Sequence, residues 1–491
     1  MESSITEKSR NAAKWSLITE IISKIVSPIT NMLLARLLTP DAFGMIATIT
    51  MVISFADLFT DAGFSKYLVQ HEFKRVEDEH RAANVSFWTN FLLSLTIWIF
   101  IIIFRDHIAV LVGNQGLGNA LAIASISIPL TAFISVQTAL FRRRLNFKAL
   151  FVLRLPGILI PLFVTIPLAF IMHSFWAMII GTLTMNIVNA FLLTIKSTWR
   201  PKKQYSIGEL KNIFSFSSWT FLEQLLGWAN LNVGIFIVGI YLSPYYLGLF
   251  KTSMAIVNQL YAIIIASFSP VLLATLSRLH GSGDYDAYKD YYYSFIKSLS
   301  IIMLPLGIGV FVFRDFVTLI LLGSQWEEAA LFIGLWGLVR AVWCVFGIFS
   351  TELFISCGKP KYSVLLQIIQ LLILIPALWI SVQISYDTLV ISRTLVIVLI
   401  MIIECIFLYK IICISPTHIV KDIHYFIISA CLMGIAVLLI RSQVAETRLM
   451  DILLISFAVI VYFICVAIPK TSRNDLIDFL AMIKSTVKRK Q

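Results

Sequence analysis

The chain has 491 residues, of which 59% are hydrophobic and only 13% charged, with a mean hydropathy of +0.88. Ordinary soluble domains carry about 25% charged residues, so this composition speaks against a soluble enzyme or a nucleic-acid-binding domain and for an integral membrane protein. The net charge of +12 then reports on orientation and lipid contact through its placement along the chain.

The first residues, MESSITEKSRNA, are polar and hold no short apolar core with a small-residue cleavage site, which predicts no removable signal ahead of the first span. About 14 apolar runs follow, at roughly 13–38, 42–70, 84–104, 117–140, 149–172, 175–195, 210–240, 245–275, 295–313, 329–356, 362–382, 388–409, 426–440 and 451–468. About 20 residues rising 1.5 Å each cross a bilayer core, so each run reads as a transmembrane helix. With the N-terminus inside, 28 of the 39 Lys and Arg fall on the cytoplasmic side, 5 fall outside and the rest lie within runs. That asymmetry follows the positive-inside rule and predicts an even number of spans with both termini cytoplasmic.

A phrase occurs twice. LLTPDAFGM (37–45) and YLSPYYLGL (241–249) share a frame in which Leu38, Thr39, Pro40 and Gly44 match Leu242, Ser243, Pro244 and Gly248 at an offset of 204, as Trp15 matches Trp219. LVGNQGLGNAL (111–121) resembles LLGSQWEEAAL (321–331) at 210, and TALFRRRLNFK (138–148) resembles TELFISCGKPK (351–361) at 213. Three matches in one order, six spans apart, predict a parallel repeat. The fold class is therefore an all-α integral membrane protein with two six-helix lobes in parallel pseudo-twofold repeat and two further C-terminal helices. The lobes are expected at 1–200 and 201–412, with the last two helices and a basic tail at 413–491. In the repeated phrase Thr39 and Ser243 suit a helix N-cap, Pro40 and Pro244 suit the first helical position, and Gly44 and Gly248 permit close helix approach.

Charges inside spans cost roughly 2.5–3.5 kcal/mol each on insertion scales and mark function. Lys24 and Arg340 lie deep and read either as cavity lining or as members of ion pairs with acids on neighbouring helices. Lys251 and Arg393 fall between these and the shallower Arg154, Lys66 and Glu404, which could snorkel to an interface. Asp57 and Asp61, spaced i, i+4 with Ser54 and Ser65 on the same face, read either as a proton or cation relay or as structural partners of Lys24 or Lys66; Glu223 is a further acid of either kind. No HExxH, GxSxG, P-loop or GxGxxG occurs, so neither a catalytic residue nor direct ATP use is expected. The six cysteines and seven histidines show no metal-ligand spacing, and no metal or cofactor is expected beyond a coupling ion, H+ or Na+.

AAKWSLI (12–18), ARLLTPDAFGM (35–45), ADLFTDAGFSKYLVQ (56–70), FRRRLNFK (141–148), LGSQWEEA (322–329) and GKPK (358–361) are together similar to the polysaccharide transporter family, the oligosaccharide-lipid flippases of the multidrug/oligosaccharidyl-lipid/polysaccharide exporter superfamily. The resemblance covers essentially the whole chain. It implies a two-lobed, alternating-access protein of the bacterial inner membrane, moving undecaprenyl-pyrophosphate-linked repeat units for O-antigen, colanic-acid-like or exopolysaccharide synthesis. It implies as partners the lipid-linked oligosaccharide, membrane lipids, and the pathway's polymerase and chain-length regulator. It also implies a cationic cavity, with Lys24, Lys251, Arg340, Arg393 and Arg154 as substrate-binding candidates. Arg142, Arg143 and Arg144, at a cytoplasmic helix end, either meet the incoming head group or simply obey the positive-inside rule. A multidrug-type cation antiporter would favour an acidic cavity, against the basic lean seen here. A membrane glycosyltransferase or polymerase usually needs a large external loop, and no outer loop here exceeds about 15 residues.

Overall fold

The protein is described from a computed structural model, which defines the backbone of residues 2–61, 63–444 and 447–488; within these, the side chains of 2–10, 13, 17, 21, 61, 215–220, 263 and 480–488 lie outside the described residues. Among the described residues every regular element is helical, and 14 helical segments are long and apolar enough to cross a membrane. The long helices are α1 (Glu2–Leu37), α2 (Pro40–Asp61), α3 (Val76–Ile103), α4 (Ser127–Arg143), α5 (Phe147–Ile160), α6 (Trp176–Lys196), α7 (Ile207–Tyr241) and α8 (Pro244–Gly281). They continue as α9 (Tyr285–Val312), α10 (Ala330–Phe346), α11 (Lys361–Ser381), α12 (Tyr386–Ile412), α13 (Pro416–Arg441), α14 (Arg448–Ala467) and α15 (Lys470–Lys488).

Several apolar runs are broken where the backbone demands it. The run 42–70 becomes two helices, because Gly63 turns the chain at φ 84° into a short helix, Phe64–Gln70. Ser65 therefore does not share a face with Asp57, contrary to the sequence expectation. The hydropathy runs smoothly through this turn, and only the glycine betrays it. After α5, Pro161 lacks the N–H that would continue the ladder, and a π turn, Pro161–Thr165, leads into Ile166–Met172. After α10 the chain breaks at Gly347 and resumes as a short helix, Ser350–Ser356.

The repeat seen in the sequence recurs in backbone geometry. Leu38 and Leu242 each donate to the carbonyl four residues back, Leu34 and Val238, at 2.9 Å. Gly113 and Gly323 both have positive φ, 77° and 104°. Leu145 (φ 54°) and Gly358 (φ 67°) end their helices with the same two bonds: Leu145 to Arg142 and Asn146 to Phe141, then Gly358 to Ile355 and Lys359 to Phe354, all 2.8–3.0 Å. Leucine is strained in this left-handed conformation and glycine is not, so the shared turn outlasts the change of residue.

The chain divides into two compact units, Met1–Thr252 and Ser253–Gln491. In the first, α1 packs on α5, α6 on α4 and α5, α3 on α4, and α2 on α7. The two repeated phrases meet here. A Cβ on Gly44 would strike the Pro244 carbonyl, and a Cβ on Gly248 would strike the Pro40 carbonyl, so the corners cross reciprocally at backbone distance. The Ala42 N–H donates to Thr39 Oγ1 at 3.5 Å, as expected of an N-cap. In the second unit, α9 packs on α10 and α13, α10 and α11 pack on α12, and α13 packs on α14. α15 is tied down by Lys297 Nζ donating to Asp475 Oδ1 at 2.7 Å.

Candidate functional site

In the first unit the predicted charges are mostly answered locally. Lys24 lies 3.8 Å from Glu20, one turn back on its own helix. Lys66 reaches Glu223 at 3.9 Å. Lys251 Nζ donates to Thr50 Oγ1 at 2.7 Å, and Trp228 Nε1 donates to Ser54 Oγ at 2.9 Å. Thr50, Ser54 and Asp57 thus form one polar face of α2, with Asp57 half-buried; the Asp61 side chain lies outside the described residues. Met51, Phe55, Ala56 and Phe59, on the opposite face of α2, line an apolar groove of about 700 Å³ shared with α3, α7 and the short helix Arg105–Leu111. Arg154, half-buried on α5, has no carboxylate within 4 Å among the described residues.

The arginine triplet divides. Arg143 donates to the carbonyls of Leu68 and His71 at 3.0 and 2.6 Å, lies over the Phe73 ring at 4.6 Å and pairs with Glu79 at 3.4 Å. Arg144 shares Glu79 at 3.0 Å and donates to Thr198 Oγ1. Both hold the connections after α2 and α6 in place, and Arg142 is left exposed. Nearby, the Tyr67 hydroxyl donates to Glu209 at 3.2 Å; burial, and then that carboxylate, push its pKa up to about 12.

The second unit is organised differently. On α10, Trp336, Arg340 and Trp343 follow at spacings of four and three and share one face, with Gly347 four residues on at the break beyond the helix. On α12, Arg393 and Glu404 are eleven residues apart, three turns, so they also share a face about 16 Å long. These two helices pack together. The Arg393 guanidinium lies 4.9 Å from the Trp336 ring centre, and that of Arg340 lies 4.3 Å from the Trp343 ring centre. Trp343 Nε1 donates to Glu404 Oε2 at 2.7 Å, and Ser350 Oγ donates to Oε1 at 3.5 Å. Gly347 makes room: a Cβ there would strike Glu404 Oε2 and the Trp343 indole. Trp336 Nε1 donates to Asn258 at 3.2 Å and the Tyr261 hydroxyl to the Gly337 carbonyl at 2.9 Å, which holds α10 against the latter part of α8.

Arg393 and Glu404, 5% and 6% exposed, are the two charged residues that are buried among the described residues. Among the described residues neither Arg340 nor Arg393 has a carboxylate within 4 Å, and Arg340 Nε and Arg393 Nη1 are buried without an acceptor. A cation–π contact is worth up to about 2 kcal/mol when desolvated, less than the several kcal/mol that burying a charge costs. An indole therefore positions a guanidinium without satisfying it, and the fork of N–H donors stays available to an anion. Planar guanidinium geometry favours phosphate and carboxylate oxygens.

Position along the chain shows Arg340 and Arg393 as separate cations and leaves Glu404 able to snorkel; the structure sets both arginines on tryptophans and buries Glu404. The signal available was the eleven-residue spacing of Arg393 and Glu404 against the same spacing of Trp336 and Gly347. A Phe-Arg-Asp triplet, at 104–106 and 313–315, also went unnoticed; both copies start a short helix with adjacent Arg–Asp contacts of 3.6 and 3.9 Å. Among the described residues no group of three His, Cys, Asp or Glu lies together as metal ligands would.

The chain is 21% identical over 328 residues to the succinoglycan biosynthesis transport protein ExoT of Rhizobium meliloti (strain 1021), covering 67% of this chain and 65% of that protein. It is 20% identical over 369 residues to the lipopolysaccharide biosynthesis protein WzxC of Escherichia coli (strain K12), covering 74% of this chain and 70% of that one. The fold matches a solved structure of the lipid II flippase MurJ in an inward closed conformation, with a TM-score of 0.75 at 15% identity, covering 93% of this chain and 98% of that one. At that identity the likeness is one of fold. Residues 33–331 match the family described as polysaccharide biosynthesis protein. That match takes in more than half of the sequence, both repeated corners and the arginine triplet, and on it this multi-pass membrane protein belongs to the polysaccharide biosynthesis protein family.

Proposed function

We propose that this protein is a transporter, not an enzyme, that moves undecaprenyl-pyrophosphate-linked oligosaccharide repeat units from the cytoplasmic to the periplasmic leaflet of the bacterial inner membrane by alternating access. The cargo then feeds surface polysaccharide of the O-antigen, colanic-acid-like or exopolysaccharide kind, with a polymerase and a chain-length regulator as downstream partners. Both termini face the cytoplasm. The observation that carries this reading is the pair of guanidinium groups on α10 and α12, held on indoles and without carboxylate partners among the described residues, in a member of a polysaccharide biosynthesis family. A lipid-linked pyrophosphate brings the anion these groups lack. In a low-dielectric interior that attraction is far stronger than in water. Its prenyl tail needs no polar partner and stays in lipid.

The test is export in a bacterial strain deleted for its own repeat-unit flippase. The wild-type chain restores surface polymer, whereas Arg340→Ala and Arg393→Ala insert at normal levels and restore less than about a tenth, since each charge-assisted contact is worth about 1.5–3 kcal/mol. Full export by both variants at wild-type abundance would remove the basis of this reading.

A further inference from the structure

Glu404 is a buried carboxylate to which the flippase reading assigns nothing. It sits eight residues, about two turns, before the end of α12 at Ile412, the end that the charge placement assigns to the cytoplasm. Its two bonds come from neutral donors, Trp343 Nε1 and Ser350 Oγ. The same Trp343 carries Arg340 on its face, so cation and carboxylate meet at one indole without touching each other. We propose that Glu404 is a proton-binding site coupled to cargo: it takes a proton from water at the cytoplasmic end when the cargo's phosphate captures Arg340, and returns it when the phosphate leaves.

The step is Glu404–COO⁻ with H₃O⁺ giving Glu404–COOH and water, and its reverse. The drive is electrostatic. While Arg340 is free of cargo, its charge offsets that of an ionised Glu404. Once an anion neutralises Arg340, an ionised Glu404 is a buried charge next to another negative group, which costs several kcal/mol unless a proton neutralises it. By linkage, protons then tighten anion binding as much as the anion tightens proton binding. The other titratable groups that act on Glu404 are Arg340 on α10, Cys405 beside it on α12 and Tyr292 on α9; Glu352, on the short helix before α11, acts on Tyr292 in turn. Cysteine and tyrosine ordinarily ionise above about pH 8. Glu352, which accepts a hydrogen bond from Ser269, is the carboxylate control.

The identity of the anion rests on the proposed function; the proton site does not, and the experiment separates the two. The purified full chain in nanodiscs is titrated with farnesyl-pyrophosphoryl-N-acetylglucosamine, a pyrophosphate diester of constant charge near neutrality. Wild type and Glu352→Gln bind it about tenfold more weakly at about pH 8 than at about pH 5.5 and take up about one proton per probe, tenfold being 1.4 kcal/mol of coupling. Glu404→Gln, which keeps an acceptor for Trp343, binds with no pH dependence and takes up no proton. The same pH slope in Glu404→Gln and wild type overturns the proposal. Without any probe, Arg340→Met removes the offsetting charge, and its infrared spectrum at neutral pH shows a protonated-carboxyl band that is missing from Arg340→Met/Glu404→Gln. Absence of that band overturns the proton site; a band present with no probe binding to wild type overturns the cargo reading alone.

Discussion

The two units treat charge inside helices in opposite ways. In Met1–Thr252, most of the cations are matched with acids or hydroxyls within reach, Arg154 being the exception among the described candidates: Lys24 with Glu20, Lys66 with Glu223, Lys251 with Thr50, and Arg143 and Arg144 with Glu79. In Ser253–Gln491, Arg340 and Arg393 lie on indoles, and a buried acid, Glu404, bonds to one of those indoles rather than to an arginine. A satisfied cation has little left to offer a ligand, whereas a stacked one keeps its donors. The difference is the ground for proposing the anion site in the second unit, although most of the charged candidates in the sequence, Lys24, Arg154 and Lys251 among them, lie in the first.

Replacing the arginines by lysine sharpens this contrast most. Arg393→Lys keeps the charge but loses the planar fork and most of the stack on Trp336. Export is expected to fall roughly tenfold or more, whereas Lys24→Arg in the first unit stays within a few-fold of wild type. Equal losses in a quantitative surface-polymer assay would erase the distinction.

The next largest effect lies at the crossing corners. Gly44→Val or Gly248→Val forces a side chain into a facing proline carbonyl. Each should destabilise the first unit by about 1–3 kcal/mol or more, read as a lower melting temperature in detergent and a smaller monodisperse fraction. The reciprocal contact predicts similar penalties from the two changes; a large penalty from one and none from the other would argue against it.

Glu79→Gln tests the opposite device, a carboxylate shared by two arginines. Glu79 is only 13% exposed, so the loss should be about 1–3 kcal/mol, with export falling only in proportion to folded protein. A selective loss of export at normal folded yield would move Arg143 and Arg144 from structural posts to head-group contacts.

The smallest effect concerns Tyr67. Its raised pKa means that the folded state holds the phenolic proton more tightly than the unfolded chain does. That contribution is present below the ordinary tyrosine value of about 10 and is lost as pH rises towards 12. The wild-type melting temperature should therefore fall more steeply over this alkaline window than that of Tyr67→Phe. Parallel curves would mean that the folded chain does not raise the phenol's pKa.

Hydropathy alone showed the helices, because a bilayer-crossing helix must satisfy its backbone internally and present apolar side chains over a fixed length. The repeat was legible for a related reason. Gly44 and Gly248 make equivalent close approaches, so residue type is constrained at the corner in both copies, whereas Leu145 and Gly358 close equivalent turns with different residues. The breaks at Gly63, Pro161 and Gly347 were less legible, because hydropathy averages over them.

The chain's own order of residues thus determined the membrane class, the helix count and the two copies of the corner, since these depend on composition, length and local backbone needs. Tertiary structure alone decided which charges are answered. Lys24 and Arg340 each have a partner a turn away on their own helix, Glu20 and Trp343, as spacing alone suggests; only packing brings Glu404 of α12 onto Trp343 and Arg393 onto Trp336. Packing likewise turned Glu404 from a residue near a helix end into a buried carboxylate, because burial is set by the neighbouring helices and not by distance along its own.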